Sequence, residues 1–182
     1  MSRKIKLGIL GGGGDSLIGV LHRVAANMFD KYEIVGGVFN PNFKENIEFA
    51  KTLGINSSRI YEDYESLIEE ESKLNSSEKM QVISVLTPNF LHYPMAKKLL
   101  ENNFHVICEK PLTTTYKEAI ELQQIQKEKN AVFAVTHTYT GYPMVRQMTK
   151  MISDGIIGDI QKVDAQYLQG WLNPIIHDKN KR

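Results

Sequence analysis

The chain has 182 residues, 42% of them hydrophobic, which is enough for a domain with a buried core. Its 22 Lys and Arg residues nearly balance its 21 Asp and Glu residues, which argues against a general electrostatic surface for nucleic acids or membranes. The single cysteine, Cys108, excludes a disulfide framework and a cysteine-rich zinc site, and the five histidines lack the spacing of metal ligands.

Strands and helices are predicted to alternate through residue 135. Short, largely apolar runs indicate strands at 5–10, 34–39, 80–86, 105–108 and 131–135. Apolar residues at helical spacing indicate helices at 18–29, 43–53, 64–71, 91–101 and 116–129. Almost wholly apolar strands are typical of a sheet covered on both faces, so we predict an α/β fold with a doubly wound, mostly parallel sheet.

The pattern changes after residue 135. A helix is predicted at 142–154 and a turn at 155–158, and residues 160–168 then alternate as a strand does. A lone strand cannot stabilise itself, so we expect only the start of a second α/β domain here, and we interpret the chain as an N-terminal fragment. The predicted first domain is 1–140, and 141–182 would hold a linking helix and the first strand of the second domain.

A glycine-rich loop at residues 8–19 separates the first predicted strand from the first helix. This is where a dinucleotide-binding fold places its phosphate loop, because backbone N–H groups can approach a pyrophosphate at the positive end of a helix. The distance from Gly13 to Gly19 is longer than in the usual fingerprint, and a flexible glycine turn is the alternative. We predict that the cofactor-binding residues of the loop are Gly11, Gly13, Ser16, Ile18 and Gly19.

The end of the second predicted strand lacks the acidic residue that usually binds the ribose hydroxyls. Residues 38–42 read Val-Phe-Asn-Pro-Asn. Asn40 could bind a ribose hydroxyl, and Lys44 could tolerate a 2′-phosphate, so the cofactor is predicted as NAD or NADP. Turn chemistry at 40–42 is the equal alternative.

Residues 108–112 read Cys-Glu-Lys-Pro-Leu at the end of a predicted strand, and Thr87-Pro88-Asn89 and His92 follow the strand before it. Together with the glycine loop, these motifs resemble the Gfo/Idh/MocA family of sugar and polyol oxidoreductases. Residues 137–146 are similar to the segment that leads into the family's linking helix, and 155–160 to the turn that opens its second domain.

The resemblance implies a Rossmann domain that binds NAD or NADP, and a second domain that closes over the substrate. The complete protein is then expected to transfer a hydride between a sugar-like or polyol hydroxyl compound and the nicotinamide. The missing second domain usually forms the oligomer interface of this family, so we expect a homo-oligomer in the full-length protein. No partner nucleic acid or membrane is expected. The lack of a signal peptide or membrane-spanning stretch predicts a cytoplasmic protein.

By resemblance, Lys110 is the catalytic residue, because its charge would favour a developing alkoxide beside the nicotinamide. Glu109 would position the cofactor or Lys110. The alternative for this pair is an exposed ion pair at a strand end. The other cofactor-binding residues implied are Thr87, Pro88, Asn89 and His92. The candidates for substrate contact are His137, Tyr139, Tyr142 and Arg146.

The chain departs from the family near its end. The family's acid–base pair is an aspartate and a histidine a few residues apart, and His177 and Asp178 match neither its order nor its spacing. We predict a surface loop there, Trp171 in the interface of the missing domain, and a chain that is catalytically incomplete on its own. His22 is expected near the cofactor or, equally, in packing or solvent contact. Cys108 is expected to be a small core residue.

Two other functions stay open on the sequence. The first is a non-catalytic, dinucleotide-sensing or regulatory binding module, which would keep the glycine loop but not need Lys110. The second is a Rossmann domain for a different nucleotide-like ligand, since a fold does not determine a function.

Overall fold

The computed structural model describes residues 3–168. Its strands are β1 (Ile5–Gly11), β2 (Tyr32–Val38), β3 (Val82–Leu86), β4 (His105–Cys108) and β5 (Phe133–Val135). Its helices are α1 (Leu17–Met28), α2 (Phe43–Thr52), α3 (Tyr64–Lys73), α4 (His92–Glu101), α5 (Tyr116–Glu128) and α6 (Pro143–Ser153). The strands form one parallel sheet in the order β2-β1-β3-β4-β5. The predicted α/β fold with a doubly wound parallel sheet is confirmed.

Local sequence explains where the helices begin. Asn42, Asp63 and Thr115 cap α2, α3 and α5 with side-chain oxygens that accept backbone N–H groups of the first turn. In α3 and α5 the cap is a reciprocal capping box. Each predicted helix and strand through residue 135 forms within two residues of its predicted bounds.

The sheet has a hydrophobic core on each face. Neighbouring residues of a strand point to opposite faces, so Ile9 and Leu10 of β1 are both fully buried but in different clusters. Ile9 packs in the cluster that contains Ala26 of α1 and Ala50 of α2. Leu10 belongs to the larger cluster, with residues of α3, α4 and α5. Helices therefore cover both faces, which explains why the strands are almost wholly apolar.

A buried carboxylate joins α3 to the sheet. Glu71 is fully buried, and its two oxygens accept hydrogen bonds from the Arg59 guanidinium at 2.7 and 2.8 Å. The Tyr61 hydroxyl donates to the same carboxylate at 2.5 Å, and the Met80 amide at 2.8 Å. Burial, the hydrogen bond to Glu71 and its charge raise the pKa of the Tyr61 phenol. Both carboxylate oxygens of Glu71 therefore accept hydrogen bonds, as a buried ion pair requires.

The chain divides into two compact units, with the boundary between His137 and Thr138. The second unit begins with a short 3-10 turn at Thr138–Gly141, continues as α6 and turns at Gly155, where φ is +72°. Within residues 3–168, no helix has both the length and the apolar character needed to cross a membrane.

The predicted strand at 160–168 was wrong. These residues have no strand assignment, and none of them pairs with a strand of the described part of the chain. A strand is held by its ladder to a neighbour, and the alternating pattern alone cannot supply one. Val163 is accordingly 77% exposed. The predictions for Trp171, His177 and Asp178 lie outside the described residues.

Candidate functional site

The carboxyl ends of β1 and β3 lie side by side where the strand order reverses. From there the chain continues into α1 on one face and α4 on the other. Doubly wound sheets bind their ligands in the crevice at this switch point. A cleft of about 530 Å³ opens here, lined by Gly11, Gly12, Gly13, Asn40, Thr87 and Pro88 among others.

The glycine loop is closely packed against its neighbours. Gly11 has φ +82°, and a Cβ on it would lie 2.9 Å from the carbonyl oxygen of Leu86. A Cβ on Gly19 would lie 1.8 Å from the carbonyl oxygen of Gly12, so α1 can approach the loop only with glycine there. The Gly13 amide donates to the Phe39 carbonyl at 3.1 Å. This packing does not support the alternative of a flexible turn.

The side chains of Ser16 and Arg23 complete the loop. Ser16 is the N-cap, and its Oγ accepts from the Gly19 amide at 3.2 Å. Arg23 donates to the Gly12 carbonyl at 2.6 Å. Ile18 is partly exposed in the first turn. The structure thus places Ser16 at the loop as predicted, but uses its oxygen to begin the helix.

The loop fits the pyrophosphate of a dinucleotide. The twelve-residue helix α1 directs its positive end toward the loop, and its first turn contains no acidic side chain. The contacts at Gly11 and Gly19 leave backbone rather than side chains at this edge of the cleft. These are the conditions under which backbone N–H groups can bind an anion.

The turn after β2 uses the Asn40 side chain for its own hydrogen bonds. Its oxygen accepts from the Asn42 amide at 2.8 Å, and its nitrogen donates to a Glu45 carboxylate oxygen at 2.8 Å. The predicted alternative of turn chemistry is therefore present. The end of β2 has no acidic residue, but the first turn of α2 brings the Glu45 carboxylate next to Asn40.

Only some of the residues predicted in the segment after β3 line the cleft. Thr87 and Pro88 line the cleft, whereas Asn89 is exposed at the start of a 3-10 turn and is not among the lining residues. His92 is buried, with Nδ1 2.7 Å from the Pro111 carbonyl oxygen and Nε2 2.9 Å from that of Thr87. The expectation that His92 faces the cofactor is corrected: both ring nitrogens are occupied by the backbone of the two loops.

Glu109 follows directly after β4, and its carboxylate forms three contacts. Its Oε1 accepts from the Thr136 hydroxyl at 2.6 Å and lies 2.9 Å from His22 Nε2, and its Oε2 accepts from the Lys110 amide at 3.2 Å. Burial opposes ionisation of Glu109, but the hydrogen bonds from Thr136, His22 and the Lys110 amide outweigh it and hold its pKa below the usual range. Its partner is therefore His22, and the ion pair with the Lys110 ammonium, the alternative considered above, does not form.

Lys110 is exposed at the same edge of the sheet, and no carboxylate of residues 3–168 forms an ion pair with its ammonium. The peptide bond to Pro111 is cis. Next to it, Cys108 is fully buried, and burial together with the Glu109 charge raises the pKa of its thiol to about 12. The prediction of a core cysteine is confirmed, and Lys110 is the exposed hydrogen-bond donor of this segment.

The substrate candidates fall in two parts of the chain. His137 is the last residue of the first unit, and Tyr139, Tyr142 and Arg146 belong to the second. Within the second unit the Tyr139 ring meets that of Tyr142 edge to face at 5.4 Å, and its hydroxyl hydrogen-bonds that of Tyr167. All four predicted residues are exposed, and substrate contact remains a prediction for them.

Residues 5–149 match the family described as an oxidoreductase family with an NAD-binding Rossmann fold, Gfo/Idh/MocA. The chain belongs to the Gfo/Idh/MocA family. The motifs at 87–92 and 108–112 therefore lie in an NAD-binding Rossmann domain, and the predicted dinucleotide cofactor is confirmed at that level.

Relatives support the same assignment. The uncharacterized oxidoreductase YfiI of Bacillus subtilis is 35% identical over 94% of this chain and 43% of its own length. The levoglucosan dehydrogenase of Pseudarthrobacter phenanthrenivorans is 34% identical over 68% of this chain and 30% of its own length. The crystal structure of an inositol dehydrogenase homolog from Azotobacter vinelandii, complexed with NADH and myo-inositol, matches with 37% identity and a TM-score of 0.82, over 87% of this chain and 41% of that one. The chain spans less than half the length of these Gfo/Idh/MocA proteins.

The structure brings in residues that the sequence analysis did not assign to the site. Glu45 lies in the first turn of α2, beyond the strand end that was searched for an acid. Ser84 and Thr136 complete the surroundings of His22 and Glu109. Thr136 directly follows β5, and the carboxyl ends of parallel neighbours meet at one edge, so the pairing of β4 with β5 brings Thr136 to Glu109.

Proposed function

We propose that this chain binds NAD and forms the cofactor domain of a dehydrogenase that acts on a sugar or polyol hydroxyl. The observation that carries the proposal is the exposed Lys110 ammonium at the carboxyl end of β4, which forms no ion pair within residues 3–168 and lies on the same sheet edge as the glycine loop. A bound NAD supplies a nicotinamide ring that accepts or returns a hydride. The identities of the levoglucosan and inositol dehydrogenase relatives support the substrate class.

Each side chain has a separate task in this proposal. Backbone groups of the glycine loop and the positive end of α1 hold the pyrophosphate. Lys110 donates a hydrogen bond to the substrate hydroxyl and stabilises the negative charge that develops on its oxygen. Glu109 contacts the Lys110 backbone and fixes the direction of that segment. The second unit, from Thr138, is proposed as the start of the substrate domain, which would supply the base and the oligomer contacts.

The test begins with a fluorescence titration of the 182-residue chain with NADH. Saturable binding is expected, and its absence contradicts the proposal. In a chain extended through a second domain, Lys110→Ala is expected to abolish hydride transfer and to leave NADH affinity within about threefold, because the lysine acts on the substrate. Unchanged turnover in Lys110→Ala would support the dinucleotide-sensing module instead.

A further inference from the structure

A line of hydrogen bonds connects four elements beneath the candidate site. It runs from Ser84 in β3 through His22 in α1 to Glu109 after β4, and ends at Thr136 after β5. The distances are 3.0 Å from Ser84 Oγ to His22 Nδ1, 2.9 Å from His22 Nε2 to Glu109 Oε1 and 2.6 Å from Thr136 Oγ1 to the same oxygen. The His22 and Glu109 side chains are only 16% and 12% exposed, so water competes little for these bonds.

The chemistry of the groups gives the line one direction. An ionised Glu109 can only accept, so the hydrogen between it and His22 resides on Nε2. A neutral imidazole then presents Nδ1 as an acceptor, and the Ser84 hydroxyl donates to it. Thr136 donates its hydroxyl to the same carboxylate. In the neutral ring, Ser84 therefore favours the tautomer that donates to Glu109.

The arrangement differs from that of a hydrolytic Ser-His-acid triad. There the serine meets Nε2 and the acid meets Nδ1, whereas here Ser84 meets Nδ1 and Glu109 meets Nε2. Ser84 is also buried within β3, where no substrate can reach its oxygen. The hydrogen bonds therefore hold Glu109 in position and do not activate Ser84 as a nucleophile.

The position of His22 connects this line to the glycine loop. His22 and Arg23 are neighbours on α1, and Arg23 donates to the Gly12 carbonyl while His22 donates to Glu109. Glu109 in turn accepts from the Lys110 amide. We propose that His22 is a positioning residue that fixes Glu109, and through it Lys110, relative to the helix that follows the glycine loop. Its effect on cofactor binding rests on the proposed function.

The test compares three variants of the 182-residue chain by NADH titration and thermal unfolding. His22→Leu removes the donor and is expected to weaken NADH binding by about tenfold, the effect of losing a hydrogen bond to a charged group. His22→Gln restores an N–H donor at a similar distance from the backbone and is expected within about threefold of the wild type. His105→Leu, the same change at the opposite end of the sheet, is expected to leave binding unchanged.

Wild-type affinity in His22→Leu would overturn the proposal. Equal losses in His22→Leu and His22→Gln would also overturn it, because ring packing and not donation would then be responsible. If His22→Leu does not fold, Ser84→Ala removes only the hydroxyl that favours this tautomer and is expected to weaken binding by about threefold; unchanged binding in that variant would overturn the proposal.

A second measurement separates this inference from the proposed function. Hydrogen exchange of the Lys110 amide needs no cofactor, and that amide donates to Glu109. Exchange is expected to be about tenfold faster in His22→Leu and unchanged in His105→Leu. Faster exchange without any NADH binding in the wild type would reject the proposed function and keep the positioning role. Equal exchange in wild type and His22→Leu would reject the positioning role.

Discussion

The imidazole of His92 connects the carbonyl oxygen of Thr87 to that of Pro111, at 2.9 and 2.7 Å from its two ring nitrogens. These carbonyls belong to the loops that follow β3 and β4, both of which carry predicted cofactor-site residues. His92 thus lies under the site, buried, and holds two of its loops together.

The first prediction follows from this contact. A neutral imidazole has one N–H, so His92→Leu leaves one of the two carbonyl oxygens without its donor and is expected to lower the free energy of unfolding by roughly 1–3 kcal/mol. Urea unfolding followed by Trp171 emission or circular dichroism measures it. The matched change His105→Leu affects a partly exposed ring with one bond, to the Val132 amide, and is expected to cost less. Equal losses in the two variants would contradict the role assigned to His92.

The fold was largely predictable because its signals are local. Apolar strands, capped helices and glycine breaks each specify their own segment, and the alternation of strands and helices then requires a parallel sheet. The strand predicted at 160–168 is absent because a strand depends on a non-local signal. It needs a neighbouring strand to pair with, and its own sequence does not specify one. The motif residues lie at the carboxyl ends of their strands: Gly11 ends β1, Thr87 follows β3 and Glu109 follows β4, so all three are at the same edge of the sheet.

The side-chain contacts of the site were less predictable. His92 was expected in the cleft because the family resemblance places the histidine after Thr87-Pro88-Asn89 there, but burial and two backbone carbonyls decide its place. Glu45 was missed because the search for an acid stopped at the strand end. The partnership of His22 with Glu109 joins residues 87 positions apart, and no pattern in either segment indicates it.

The second prediction concerns Glu71. Glu71→Gln removes the negative charge that compensates the Arg59 guanidinium in a buried environment, and is expected to lower the free energy of unfolding by about 3–5 kcal/mol. Glu69→Gln is the matched control on the same helix, where the pair with Lys73 is exposed and is expected to contribute little to stability. Urea denaturation of both variants checks the difference. Similar losses would show that the buried pair has no special weight.

The third prediction concerns cofactor choice. The Glu45 carboxylate beside Asn40 would repel a 2′-phosphate, so the wild-type chain is expected to prefer NADH to NADPH. Glu45→Gln keeps an acceptor for Asn40 but removes the charge, and is expected to raise NADPH affinity by about three- to tenfold while NADH affinity changes less than about twofold. Glu48→Gln, one turn further along α2 and paired with Lys51, is the control. Parallel titrations with both cofactors measure the ratio, and a ratio unaffected by Glu45→Gln would assign selectivity elsewhere.

The last prediction is the acid dependence of stability caused by Glu109. Its pKa is lowered in the folded chain, so its ionised form stabilises the fold above the unfolded carboxyl pKa of about 4.3, and this contribution is lost as pH falls through the lower folded value. The titratable groups that face it are His22 from α1 and Cys108 before it, with Lys110 next in sequence. Glu109→Gln removes the carboxylate and keeps the shape. The destabilisation by Glu109→Gln is therefore expected to be larger at pH 6 than at pH 3.5, measured by urea unfolding at both values. A pH-independent difference would mean that the carboxylate is not selectively stabilised in the folded state.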